Sequence, residues 1–109
     1  MKKEVVVFRY GDIQNNTEKL SMTMWTILRS SQVILPSEYV VLITDQHWYY
    51  PQDMPDDREE FKNELVAWLD EQRIWWDKMK YIKRVGKAVT LMFLLDSEDA
   101  AALVKLKYC

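Results

Sequence analysis

Short apolar runs alternate along the first half of the chain with segments whose apolar residues recur at helical spacing. Val5–Tyr10 is β-branched and aromatic, which is typical of a strand. Tyr39–Thr44 is almost entirely apolar and predicts an interior strand. Between these runs we predict a helix over about 17–31, with Asn16 or Thr17 as its cap. Its apolar face is formed by Leu20, Met24, Ile27 and Leu28.

The second half begins with the least regular stretch, 47–50, which fits a short strand or a wide loop. Pro55 and the acids after it indicate a helix N-terminus, and we predict a helix over 55–72. The stretch 79–96 predicts two strands joined by a turn at 84–87. Asp96 and Asp99 resemble a capping box that opens a final short helix.

Mixed strands and helices with an antiparallel hairpin predict a single α+β domain over residues 1–109. We expect a two-layer sandwich, in which helices pack on a mostly antiparallel sheet. The predicted βαβ opening and the strand-then-helix ending favour a ferredoxin-like topology with decorations.

Composition narrows the classes of function. Of the 109 residues, 49% are hydrophobic and 29% are charged, as expected of a folded globular protein. The run Val5–Phe8 is too short for a signal-peptide core or a membrane span, so we expect a cytoplasmic protein without membrane contact. The single cysteine, Cys109, allows no intrachain disulfide, and we expect no metal or other cofactor. Two glycines leave little room for a phosphate-binding loop.

Aromatic residues carry the first functional hypothesis. The five tryptophans, six tyrosines and three phenylalanines are more than one small core readily covers. Neighbouring residues of a strand point to opposite faces, so we expect some of the clustered rings at the surface. We therefore predict a non-catalytic interaction module that forms a homodimer or binds another protein. The predicted interaction surface consists of Trp48, Tyr49, Tyr50, Trp75 and Trp76.

Charge segregation carries an alternative hypothesis. Residues 53–77 hold nine acids and three bases, whereas residues 78–87 hold five bases and no acid. A basic hairpin with an aromatic ring can neutralise phosphates and stack on a base, although lysines are also ordinary on exposed hairpins. The net charge of −2 means that a nucleic acid would be bound by a local patch only. The predicted patch is Lys78, Lys80, Tyr81, Lys83, Arg84 and Lys87.

His47 carries a third hypothesis, that of a small pocket-bearing enzyme. An imidazole titrates near neutrality and can act as an acid or a base, with Asp45 placed to orient it if the loop brings the two together. A lone histidine beside a strand end is more often a packing or solvent-facing residue. We therefore rank this hypothesis below the two binding hypotheses.

The segment FLLDSEDAAALVKLKY, residues 93–108, resembles the strand-then-helix ending of many ferredoxin-like domains. It is also similar to endings of small proteins of tailed phages and marine metagenomes. The resemblance covers about 16 residues and transfers no site residue. Ferredoxin-like domains include enzymes, RNA binders and regulatory modules, so the resemblance leaves the function open.

Overall fold

The structure is a computed structural model that describes residues 3–30, 34–45, 48, 56–82 and 89–108. The strands are β1 (Glu4–Arg9), β2 (Tyr39–Thr44), β3 (Trp76–Ile82) and β4 (Thr90–Leu95). The helices are a 3₁₀ segment (Tyr10–Lys19), α1 (Met22–Leu28), α2 (Asp56–Glu71) and α3 (Glu98–Tyr108). The prediction of an α+β fold with helices on an antiparallel sheet is confirmed.

The four strands form one sheet in the order β1-β2-β4-β3, and every neighbouring pair is antiparallel. β1 pairs directly with β2, whereas a βαβ unit requires parallel strands, so the predicted βαβ opening is wrong. The ferredoxin-like topology is therefore not confirmed. β2 and β3 do run in the same direction on either side of β4, with α2 between them along the chain. The described elements from β2 to α3 thus follow the order strand, helix, strand, strand, helix.

One face of the sheet packs against α2 and α3, and we call the apolar contacts there the first core. Because side chains alternate across a strand, β2 contributes Val41 and Ile43, while β4 contributes alternate residues centred on Phe93. Leu65 and Leu69 lie four residues apart on α2 and complete the layer. These five side chains are 0% exposed.

The second core lies on the other face of the sheet, beneath the 3₁₀ segment and α1. Val40 and Leu42 of β2 point into it, as do Met92 and Leu94 of β4. Their neighbours from the helical side are Ile13, Leu20, Met24 and Leu28. Both faces of the sheet are therefore covered.

The helix predicted over 17–31 is shorter than expected, because its cap lies further along the chain. Ser21 caps α1, and its Oγ accepts the backbone N–H of Met24 at 3.3 Å, so the prediction of Asn16 or Thr17 is wrong. Asn16 instead donates from its side chain to the carbonyl of Asp12 at 2.8 Å. Such local side-chain bonds compete with the α-helical ladder and favour turns.

Candidate functional site

Strand β3 carries an extra residue at Lys78. The register with β4 shifts between Asp77 and Lys80, so two residues of β3 lie opposite Phe93. Lys78 has a φ of 54°, the left-handed backbone that glycine usually adopts in one type of β-bulge. Lys78 Nζ donates to Ser30 Oγ at 3.1 Å, just beyond the end of α1. The bulge thus aims Lys78 toward the α1 side of the sheet.

Three cations gather on this side, and we call them the basic face: Arg29, Lys78 and Lys80. Lys80 is exposed and pairs with Met92, whose side chain belongs to the second core, so Lys80 also points toward α1. The guanidinium of Arg29 lies 4.4 Å from the ring centroid of Trp25, which is half-buried on α1. The sequence alone does not assign Arg29 and Trp25 to a site, because only the fold brings α1 beside β3. Their spacing of four residues on a predicted helix was the available signal.

Tyr81 does not belong to the basic face. Its hydroxyl donates to the backbone carbonyl of Arg58 on α2, and its ring meets Trp48 edge-on at 5.5 Å. Both partners lie on the α2 side of the sheet. The prediction that Tyr81 acts with Lys78 and Lys80 as one binding platform is therefore wrong, because alternation along β3 places its ring on the opposite face.

Trp48 is buried rather than exposed. It is 1% exposed, its ring lies 5.1 Å from that of Phe61, and its carbonyl accepts the N–H of Val89 at 2.9 Å. This corrects its assignment to the interaction surface. Of the other predicted rings, Trp75 is 43% exposed, whereas Trp76 is half-buried and donates from its indole nitrogen to Asp70 at 3.2 Å.

Several predicted site residues lie outside the described residues, so their assignments stay predictions. They are His47, Tyr49, Tyr50, Lys83, Arg84 and Lys87.

A cleft of about 220 Å³ opens beside the buried Trp48. Its lining consists of Lys3, Asp45, Trp48, Glu60, Phe61 and Glu64. Lys3 Nζ lies 3.6 Å from a carboxylate oxygen of Asp45 and 4.8 Å from the Phe61 ring centroid. The ammonium of Lys3 therefore already balances part of the carboxylate charge in the cleft. Among the described residues, no group of carboxylate, histidine or cysteine side chains is arranged to hold a metal ion.

Arg58 is a buried cation in the first turn of α2. Its side chain is 3% exposed, and its guanidinium lies 5.1 Å from the Tyr81 ring centroid. Nε and Nη1 are both buried and have no hydrogen-bond partner among the described residues. Buried polar groups are usually hydrogen-bonded, so Arg58 contributes ring stacking at a cost in desolvation.

Tyr108, at the end of α3, has a raised pKa. Burial and the nearby carboxylate of Glu64 raise the pKa of its hydroxyl to about 12, since both disfavour the phenolate. Its ring packs against Phe61 at 5.2 Å. The hydroxyl is therefore protonated at neutral pH and is not poised as a base.

The outward surface of α3 carries exposed leucines that the sequence analysis did not assign to a site. Leu103 is 44% exposed and Leu106 is 77% exposed, while Ala100, Ala101 and Val104 on the inward side are buried. The signal in the sequence was that this helix contains more apolar residues than a single buried stripe of a short helix needs.

No protein-family model, curated protein or solved structure matches the chain. None of the described helices is long and apolar enough to cross a bilayer.

Proposed function

We propose that this protein is a small non-catalytic interaction module that self-associates. The observation that carries the proposal is the exposure of large apolar side chains on a domain whose sheet is already covered on both faces. Trp75 is the exposed tryptophan in the part of the chain that the structure describes, and it directly precedes the edge strand β3. Exposed tryptophan favours interfaces, because it buries a large area at a small entropy cost. The other large apolar side chains that are exposed among the described residues are Met22, Leu35, Leu103 and Leu106.

Sedimentation velocity at protein concentrations from about 5 μM to about 500 μM tests the proposal, because weak interfaces have micromolar affinities. We expect the average mass to rise with concentration toward that of a dimer. A mass that stays monomeric over the whole range would overturn self-association. Repeating the series at high salt shows whether charged contacts contribute, because salt screens exposed ion pairs.

Polyanion binding at the basic face is a second candidate function. The observation that favours it is the placement of Arg29 and Trp25 beside Lys78 and Lys80, which gives a cationic surface with an aromatic ring. Phosphates bind such cations, and bases stack on such rings. If three cations contact phosphates, log K against log salt has a slope of about −2 for a single strand.

Fluorescence anisotropy with a labelled single-stranded oligonucleotide tests this second function. We expect the double variant Arg29→Glu, Lys80→Glu to lose binding. The matched control Lys62→Glu, Lys105→Glu makes the same change in net charge away from the basic face and should keep most of the affinity. Equal losses in both variants, or no binding by the native protein at low salt, would remove the candidate.

A further inference from the structure

The bulge in β3 directs one ammonium of the basic face to a fixed place. Asp77 Oδ1 accepts the backbone N–H of Lys78 at 2.8 Å, and Lys78 takes the left-handed conformation with a φ of 54°. The register with β4 is regular again from Lys80 to the end of the strand. Residues other than glycine seldom adopt this conformation, and those that do cluster at functional sites. The strained position of Lys78 therefore indicates a function for its side chain.

The ammonium of Lys78 is held in place by Ser30. Nζ donates to Ser30 Oγ at 3.1 Å, and the same hydroxyl donates to the carbonyl of Ile27 at 2.8 Å, which ties it to the last turn of α1. An ammonium has three N–H groups, and Ser30 accepts one of them. Within the described ranges, Lys78 Nζ makes no second hydrogen bond and no ion pair. Two donors at a fixed position are thus left for an acceptor from outside the chain.

Protection of the sheet edge does not explain the contact with Ser30. Bulges and lysines do hinder edge-to-edge pairing, and β3 is an edge strand. A lysine with that role alone would point away from the sheet into solvent. Lys78 is instead half-buried and bonded to the residue that follows Arg29. The bulge therefore adds a positioned cation to the basic face.

The carboxylate of Asp77 lies on the same side of the sheet as the basic face. Asp77 pairs with Leu94, whose side chain belongs to the second core, so the Asp77 side chain also points toward α1. Asp77 thus has two opposite effects on an anion that approaches Lys78. Its hydrogen bond to the Lys78 N–H fixes the bulge and positions the ammonium, whereas its negative charge repels the anion.

We propose that the Lys78 ammonium binds a phosphodiester group of a single-stranded nucleic acid, with Asp77 and Ser30 as positioning residues. This inference rests on polyanion binding at the basic face, the second candidate function above, and names the group that binds phosphate there. The guanidinium of Arg29, stacked on Trp25, provides a flat cationic surface for a base. A single strand presents both its phosphates and the faces of its bases, which matches this arrangement.

The first test compares two lysine substitutions that change the net charge equally, by fluorescence anisotropy with a labelled single-stranded oligonucleotide. Lys78→Gln removes the positioned ammonium and should weaken binding about tenfold at low salt, as expected for the loss of a hydrogen bond to a charged group. Lys80→Gln is the matched control. The exposed Lys80 ammonium has no hydrogen-bond partner among the described residues to position it, so its loss should weaken binding only about threefold.

The second test separates the two effects of Asp77. Asp77→Asn keeps an oxygen that accepts the Lys78 N–H and removes the charge, so binding should become about threefold tighter. Asp77→Ala removes the same charge together with the hydrogen bond that fixes the bulge, so its affinity should be no higher than that of the native protein. Circular dichroism and urea denaturation verify that all four variants are folded.

The outcomes separate this inference from the function on which it rests. A native protein that binds no oligonucleotide at low salt overturns polyanion binding and this inference together. If the native protein binds but Lys78→Gln loses no more affinity than Lys80→Gln, or Asp77→Ala binds as tightly as Asp77→Asn, the role of Lys78 is overturned while polyanion binding stands. Tighter binding of a duplex of the same sequence would overturn the single strand as the ligand.

Discussion

Lys78 has a strained backbone conformation that directs its side chain toward α1. Its φ of 54° lies in the left-handed region, where a Cβ atom costs roughly 1–2 kcal/mol. The bulge that this conformation allows places the ammonium beside Ser30 instead of on the α2 side. A glycine would adopt the same backbone without that cost, although it loses more entropy on folding.

We therefore expect Lys78→Gly to raise the free energy of unfolding by about 0.5–1 kcal/mol, since the backbone gain exceeds the entropy loss. Urea denaturation measures the change. Lys80→Gly, at a regular strand position of the same strand, is the matched control and should lower it by a similar amount. If both substitutions destabilise equally, the contact between Lys78 and Ser30 outweighs the backbone strain.

Two buried guanidinium nitrogens of Arg58 have no hydrogen-bond partner within the described ranges, so we expect replacement of this residue to be favourable. Methionine keeps the length of the side chain and can still contact the Tyr81 ring. Replacing a buried charge by an apolar group of similar volume is often neutral or stabilising. We expect Arg58→Met to raise the melting temperature, measured by calorimetry, with Arg73→Met as an exposed control. A marked fall would contradict this expectation and show that the guanidinium, which lies over the Tyr81 ring, stabilises the folded state.

The raised pKa of Tyr108 makes the stability of the folded protein depend on pH in the alkaline range. The pKa of its hydroxyl is about 12 in the folded protein and about 10 in an unfolded chain. Between these values the folded state holds the proton more tightly, so stability falls as pH rises from about 10 to 12 and is unaffected by this group below pH 10. Ultraviolet titration of phenolate formation should show one tyrosine fewer in Tyr108→Phe at the alkaline end. Glu64→Gln should lower the pKa of Tyr108 without returning it fully, because burial is the larger cause.

At the scale of the element, two neighbouring residues, Asp96 and Ser97, are candidates for the N-cap of α3. The sequence suggests Asp96, but Ser97 Oγ accepts the N–H of Ala100 at 3.0 Å, and the helix begins at Glu98. The capping-box prediction with Asp96 is therefore wrong by one residue. Loss of an N-cap typically costs about 1 kcal/mol.

Ser97→Ala should thus lower the free energy of unfolding by about 1 kcal/mol, whereas Asp96→Ala should leave it within about 0.5 kcal/mol. Thermal denaturation followed by circular dichroism compares the two. The reverse order of effects would show that Asp96 caps the helix in solution.

The bounds of some helices and strands could be predicted from the sequence, and those of others could not. β2 is predicted with the bounds it has, because an uninterrupted apolar run admits little else, and α2 is predicted within one residue at each end. The start of α1 could not be placed, since Asn16, Thr17 and Ser21 are all acceptable caps and only the packing of Met24 and Leu28 selects Ser21. Periodicity identifies elements, and tertiary packing sets their ends.

Strand pairing and the candidate surfaces depend on contacts between residues that are far apart in the sequence. The hairpin of β3 and β4 was predictable from adjacency, but β1 meets β2 across a long helical connection that resembles a crossover in sequence. Trp48 is buried because Phe61 and Tyr81, 13 and 33 residues later, pack against its ring. For the same reason Arg29 joins Lys78 only in the folded chain.

At the scale of the molecule, one sheet is shared by two cores. Each interior strand places alternate residues in the first and second core. Unfolding of either core would therefore remove about half of the side-chain contacts that hold β2 and β4 in place. Small domains of this kind usually unfold in one cooperative transition. We therefore expect both cores to unfold together.

Incorporation of 5-fluorotryptophan provides a reporter in each core: Trp48 lies in the first, and Trp25 packs against the second. The fluorine resonances of both, assigned with Trp48→Phe and Trp25→Phe, should disappear at the same urea concentration. Leu65→Ala in the first core and Leu28→Ala in the second should each cost about 2–5 kcal/mol and shift both resonances to the same new midpoint. If Leu28→Ala moved only the Trp25 transition, the α1 layer would be a separately unfolding unit, and the sheet would stand on its first core alone.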